Sequence, residues 1–157
     1  MKEIEEYQRV YAQIDMDAIL HNMRSMKAHM ADNTQMIGVI KTDAYGHGSV
    51  PLAKTLEELD FMFGFAVATP EEAFLLRENR VHKPILILGY TFPYSYAEMI
   101  RQEIRPAVFK EDMLKELSET AVRLGKNAIV HIKVDTGMNR IGITPDDRGL
   151  SFVKKVF

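Results

Sequence analysis

Residues 41–48 read Lys-Thr-Asp-Ala-Tyr-Gly-His-Gly and directly follow the apolar run Met36-Ile37-Gly38-Val39-Ile40. A short run rich in β-branched residues reads as a buried strand, and the aspartate and glycines after it read as a loop. Lys41 therefore stands where a strand ends, beside a phenol at Tyr45 and an imidazole at His47. In α/β folds that edge carries the chemistry, and a lysine desolvated there can attack a carbonyl. A second set lies further on. In residues 128–134, alternate side chains place Ile129, His131, Lys133 and Asp135 on one side and Val130, Ile132 and Val134 on the other. The aliphatic set is expected to face helices and the charged set the opposite side, with Arg140 in the loop beyond. Burying Lys133 and Arg140 together is costly unless an anion lies between them. The plain alternatives stand beside these readings: Lys41 and Lys133 as solvated strand ends, His47 and Tyr45 as packing residues, and the glycines as simple turn formers.

The rest of the composition narrows the chemistry. The chain has 157 residues, 46% hydrophobic and 27% charged, with 20 basic and 22 acidic side chains. That is the make-up of one ordinary domain, and the balanced charge gives no reason to expect nucleic acid as a partner. With no cysteine, disulfides, thiolate metal sites and a cysteine nucleophile are excluded, and no metal site is expected. No apolar run approaches the roughly 20 residues of a membrane span, and the charged start, Met1-Lys2-Glu3-Ile4-Glu5-Glu6, lacks the hydrophobic segment of a secretory signal. A soluble cytoplasmic protein is the expectation. The ten methionines read as flexible core fillers.

These residues must be positioned by alternating elements. Strands are expected over residues 10–14, 36–40, 61–67, 84–88, 105–109 and 128–134. Helices are expected over 15–30, capped by Asp15 or Asp17, and over 50–59, with Pro51 in the first turn. A helix over 70–79 has Thr69 and Glu72 placed for a capping box. Others follow over 95–102, over 111–124 closed by Gly125, and from 148 to the end. Strand–helix units about 20 to 25 residues long imply parallel strands with right-handed crossovers. Two architectures satisfy this, an open doubly wound sheet and a (β/α)8 barrel. No Gly-x-Gly-x-x-Gly turn follows the first strand, which weakens the dinucleotide-binding form of the former. A full barrel needs about 250 residues. The fold class expected is therefore α/β, a partial (β/α)8 TIM-type barrel with about five units, preceded by a short N-terminal strand.

Three segments together resemble the bacterial alanine racemase family. Val39-Ile40-Lys41-Thr42-Asp43-Ala44-Tyr45-Gly46-His47-Gly48 resembles its pyridoxal-phosphate attachment site. Ile14-Asp15-Met16-Asp17-Ala18-Ile19-Leu20-His21-Asn22 resembles its opening strand and helix, and Lys133-Val134-Asp135-Thr136-Gly137-Met138-Asn139-Arg140-Ile141-Gly142 its fifth-strand motif. The resemblance implies a (β/α)8 barrel followed by a mostly β domain in a homodimer. It implies interconversion of L- and D-alanine, supplying D-alanine for peptidoglycan. Lys41 would hold pyridoxal 5'-phosphate as an imine and act as one of two bases. Tyr45 would bind the cofactor phosphate, and Leu88 would pack near its ring. Arg140 would lie beside the cofactor's phenolic oxygen and the substrate carboxylate, with Met138 also at the substrate. Lys133 matches a lysine often carbamylated in the family, a change that would let it pair with Arg140. Val39 and Ile40 are expected in the core. The family's second base is a tyrosine of the other subunit, and its later strands supply a histidine, a serine and an arginine. None of these is assignable here, so residues 1–157 are expected to be the N-terminal part of the barrel, inactive alone. The alternatives are a serine or broad-specificity racemase, or a non-catalytic fragment.

Overall fold

Parallel strands need a crossover of a dozen or more residues, and the sequence provides a helix after every strand. The computed structural model describes residues 10–156. These fall into two compact units, one of residues up to 33 and one of residues from 34 on. The first contains helix α1 (Met16–Ala28), whose leading amide at Ala18 donates to the Asp15 carboxylate at 2.9 Å. Residues 10–14, expected to be a strand, pair with none: Val10 is 90% and Tyr11 54% exposed. Their apolar spacing is too short a signal without a ladder partner.

The second unit is a parallel sheet. Its strands are β1 (Met36–Val39), β2 (Met62–Val67), β3 (Ile85–Ile87), β4 (Ile104–Val108) and β5 (His131–Ile132). Between and after them lie α2 (Lys41–Gly46), α3 (Ser49–Glu57), α4 (Pro70–Glu78), α5 (Pro93–Arg101), α6 (Glu111–Leu124) and α7 (Asp147–Val156). The strand order in space is the order in sequence, β1-β2-β3-β4-β5, with every pairing parallel. A doubly wound sheet reverses its order at a switch point. Here there is no reversal, and right-handed crossovers of one sense put the helices on one face. The sheet curls as a half-barrel, part of a (β/α)8 barrel.

The two faces differ accordingly. Phe65, Ile85 and Ile104 lie side by side in register, each 2% exposed or less. Leu52 and Leu56 of α3, Leu76 of α4, Tyr96 and Met99 of α5 and Leu117 of α6 are buried as well. One residue out of phase runs Val39, Ala66, Leu86 and Arg105, and this row looks to the other side. Leu86 and Arg105 are half-buried and Val39 is 45% exposed. Ile40 is in the core as expected, whereas Val39 faces the concave side and is not.

Local rules account for most boundaries. Thr69 caps α4, accepting from the Glu72 amide at 3.4 Å, and Pro70 takes the first helical position. Gly125 ends α6 at φ +61°, in the left-handed region, and the Lys126 amide donates back to Ala121. β5 is shorter than the expected residues 128–134. Its ladder pairs only with Ala107 and Val108, the last two residues of β4. Beyond it, Val134 bridges Ile143 instead.

Gly64 is required for a different reason. A Cβ there would lie 2.2 Å from the Pro84 carbonyl oxygen, which accepts from the Phe65 amide. Gly64→Ala must push β3 away from β2, and we expect a loss of about 2 kcal/mol or more in urea unfolding. Gly125→Ala meets open space and carries only the positive-φ strain, about 1 kcal/mol. Equal losses for the two would contradict this account of β2–β3 contact.

Candidate active site at the strand ends

Because all five strands are parallel, their C-terminal ends form one rim. Lys41, Leu88 and Lys133 follow β1, β3 and β5 there. The pairing extends one residue past each strand: Ile40, Leu88 and Lys133 donate their amides to Ala66, Val67 and Val108 at 2.8–2.9 Å. Lys41, Leu88 and Lys133 are all half-buried.

The segment after Lys41 is not the loose loop expected from its glycines. Thr42, Asp43, Ala44 and Tyr45 all have φ between 52° and 55° and ψ between 35° and 48°. This is one turn of left-handed helix made without glycine. Each such residue costs about 1–2 kcal/mol, so the turn stores strain of several kcal/mol and needs strong anchors. Within the turn, the Ala44 amide donates to Ile40 at 2.9 Å, and Ala44 is only 4% exposed. At the trailing end, Asp43 Oδ1 accepts from the Ser49 amide at 2.7 Å and from Ser49 Oγ at 3.1 Å. The Gly48 amide donates to the Asp43 carbonyl at 3.0 Å, with Gly48 itself at φ +86°. At the leading end, the Thr42 amide donates to Glu72 Oε1 at 2.8 Å. His47 turns inward on its own backbone, its Nδ1 2.9 Å from the Ala44 carbonyl.

One helical turn returns the chain to the same side, so Lys41 and Tyr45 meet: Lys41 Nζ lies 6.0 Å from the centre of the Tyr45 ring. The amine makes no hydrogen bond or ion pair among the described residues. Tyr45 is 63% exposed.

Arg140 stands elsewhere on the rim. With Ile141 and Gly142 it joins Tyr90, Phe109 and Lys110 around a groove fed by the ends of β3, β4 and β5. Tyr90 meets Phe109 edge-on at 6.1 Å, and Lys110 Nζ lies 5.1 Å from the Tyr90 ring centre. Lys133 and Arg140 are not both buried. Arg140 is exposed, so its charge needs no buried counter-ion, and only Lys133 is half-buried. Met138 is 77% exposed. No hydrogen bond links Lys41 to Arg140 among the described residues.

The loop carrying Met138 and Arg140 has its own anchor. Asp135 Oδ1 accepts from the Gly137 and Asn139 amides, each at 3.0 Å. Those backbone donors, Gly137 first, hold the Asp135 carboxyl below the usual carboxylate range. The loop closes where Asp135 and Ile143 pair, and a Cβ on Gly142 would lie 2.6 Å from the Asp135 nitrogen.

Three residues at or below the rim were given no part in the site from sequence. Glu72 and Asp43 hold the turn, as above. Arg105 lies on the concave face with its guanidinium 5.3 Å from the Phe63 ring centre. His131 lies on the same face, opposite Ala107, and burial, then Arg105, push its pKa down. The signal for Arg105 was available, since a charged residue inside an apolar strand must point away from the helices.

Comparison with known proteins agrees with this geometry. Residues 14–156 match the family model described as alanine racemase, N-terminal domain. The alanine racemase of Clostridium perfringens is 43% identical over 148 residues, covering 94% of this chain and 38% of that protein. The chain thus spans well under half the length of such relatives. The alanine racemase of Clostridium difficile 630, solved in complex with cycloserine, superposes with a TM-score of 0.86 at 36% identity, over 89% of this chain and 38% of the other. A histidine racemase from Leuconostoc mesenteroides superposes with a TM-score of 0.79 at 27% identity, over 90% and 37% of the two chains. With a partial (β/α)8 barrel, a lysine at the end of its first strand and a family match over nearly its whole described length, this chain belongs to the alanine racemase N-terminal domain family.

Proposed function

We propose that this chain provides the cofactor-holding side of a pyridoxal 5'-phosphate-dependent racemase acting on alanine. The observation that carries the reading is the uncommitted, half-buried amine of Lys41, held at the rim by a strained turn that also delivers Tyr45. The donor set fits the cofactor: an amine for its aldehyde, the Tyr45 phenol for its phosphate and the Arg140 guanidinium for its phenolic oxygen. When bound, pyridoxal phosphate supplies a carbonyl that links to amines and a ring that draws the electron pair from Cα. Lys41 Nζ tethers it and, once released by the incoming amino acid, takes or returns a proton at one face of Cα. Leu88 supports the ring. Arg140 and Met138 border the substrate, with the guanidinium on its carboxylate. Lys133, as the neutral amine, adds carbon dioxide through a new N–C bond and loses one N–H proton, becoming a carbamate that pairs with Arg140.

We further propose that residues 1–157 are the N-terminal part of the cofactor-binding barrel. The remaining strands, a β domain and the base for the opposite face of Cα then lie outside these residues, in a cytoplasmic homodimer that supplies D-alanine for cell-wall synthesis. The likeness to a histidine racemase supports a second reading, a racemase of other or broader amino-acid specificity. Activity of these residues alone is not expected, because only one of two bases is present.

Two measurements bear on this. Mixing the chain with pyridoxal phosphate and reducing with borohydride should fix a pyridoxyl group on Lys41, preceded by an absorbance band at the violet edge of the visible. Band and label should both vanish in Lys41→Ala; their persistence there would remove Lys41 from the mechanism. The second concerns the loop that offers Arg140. The folded pKa of Asp135 is depressed, so its hold on the loop is complete above the unfolded value of about 3.9 and is lost as pH falls through the lower folded value. The Gly137 and Asn139 amide resonances should therefore shift together, with one midpoint below about pH 3.9. Asp135→Ala should abolish that step, and independent titration of the two amides would contradict the shared anchor.

A further inference from the structure

We infer that Glu72 is a positioning residue for Lys41, an inference that rests on the reading of Lys41 as the cofactor lysine. In a capping box the carboxylate at this helical position folds back to the amide of the cap residue, here Thr69. Glu72 does otherwise. Its Oε2 accepts from the Ala68 amide at 2.7 Å and its Oε1 from the Thr42 amide at 2.8 Å. Ala68 is the residue after β2, and Thr42 is the residue after Lys41. One carboxylate thus ties the ends of two neighbouring strands to the first turn of α4.

The consequence falls on Lys41 through its backbone. Thr42 opens the left-handed turn, and the leading amides of any helical turn find no partner inside it. Glu72 supplies that partner with a charged acceptor, roughly twice as strong as a neutral one. Asp43 holds the trailing end on Ser49, so the strained segment is pinned at both ends. Releasing the leading pin frees residues 42–45 to relax toward the right-handed region, and that rotates the Lys41 side chain away from Tyr45. Glu72 itself makes no hydrogen bond to the Lys41 amine. A residue serving only as a helix cap would affect α4 and leave the turn alone.

The test compares the wild-type chain with Glu72→Gln, Glu72→Ala and the exposed neighbour Glu71→Gln. Glutamine keeps one acceptor oxygen but presents an amide nitrogen to the second donor, so it should fold where alanine does not. Two readouts are taken, backbone hydrogen exchange by mass spectrometry without cofactor, and the share of borohydride-fixed pyridoxyl found on Lys41 rather than on other lysines. In Glu72→Gln, exchange across residues 41–48 should accelerate about tenfold, with α6 unchanged, and the Lys41 share should fall by a similar factor. Glu71→Gln should match wild type in both. Unchanged exchange over 41–48, acceleration spread evenly over the whole chain, or a Lys41 share that survives a loosened turn would each overturn the inference. Failure of the wild-type chain to label Lys41 would instead count against the cofactor reading, while exchange still decides whether Glu72 pins the turn.

Discussion

The structure turns on a conformational debt at the end of the first strand. Four consecutive residues without a glycine among them occupy the left-handed region, and they stay there only because surrounding groups over-determine them. Glu72 reaches in from α4, Asp43 fastens on Ser49 at the start of α3, and Ala44 is enclosed in the core. An ordinary right-handed turn would also bring residues 41 and 45 to one side, but it would carry the chain off in a different direction. The left-handed turn lets β1 end, presents an amine and a phenol at the rim, and still feeds α3 back over the helix side of the sheet.

The sheet explains why that rim is shared. Sequential order with parallel pairing places every strand's exit at the same end. A lysine after β1, a leucine after β3 and a lysine after β5 come to share one rim although they are spread over more than half the chain. The concave face beneath carries Arg105 against Phe63, with His131 beside it. The most completely buried apolar side chains lie on the helix side, in Phe65, Ile85, Ile87 and Ile104.

Much of this was legible from residue types. Five strands, the caps at Asp15 and Thr69, the glycine stop at 125 and the two-sided character of the last strand follow from period and local chemistry, and the structure has them. What local rules could not show depends on partners distant in sequence. The left-handed turn contradicts the preferences of threonine, alanine and tyrosine, and its chief support comes from a carboxylate 30 residues away. That carboxylate sat inside a motif that already had a complete local explanation. The last strand was read too long because its apolar period runs over residues 128–134 whereas its ladder pairs with only two residues of β4. The cost expected for burying Lys133 and Arg140 together does not arise, because Arg140 is exposed on the loop that the Asp135 turn holds, a geometry that neither residue type announces. The expected strand at residues 10–14 had an apolar pattern but no neighbour.

The sequential strand order also bears on how the molecule is made. Each strand adds beside the one synthesised just before it, so every pairing of this sheet closes only the stretch of chain that holds one intervening helical connection. Among the described strands, no early one waits for a distant late one. Assembly can therefore keep pace with the ribosome from one end, and the strained turn, built from the second unit's first strand and fastened by α4, would be in place well before the strand that bears Lys133 has been translated.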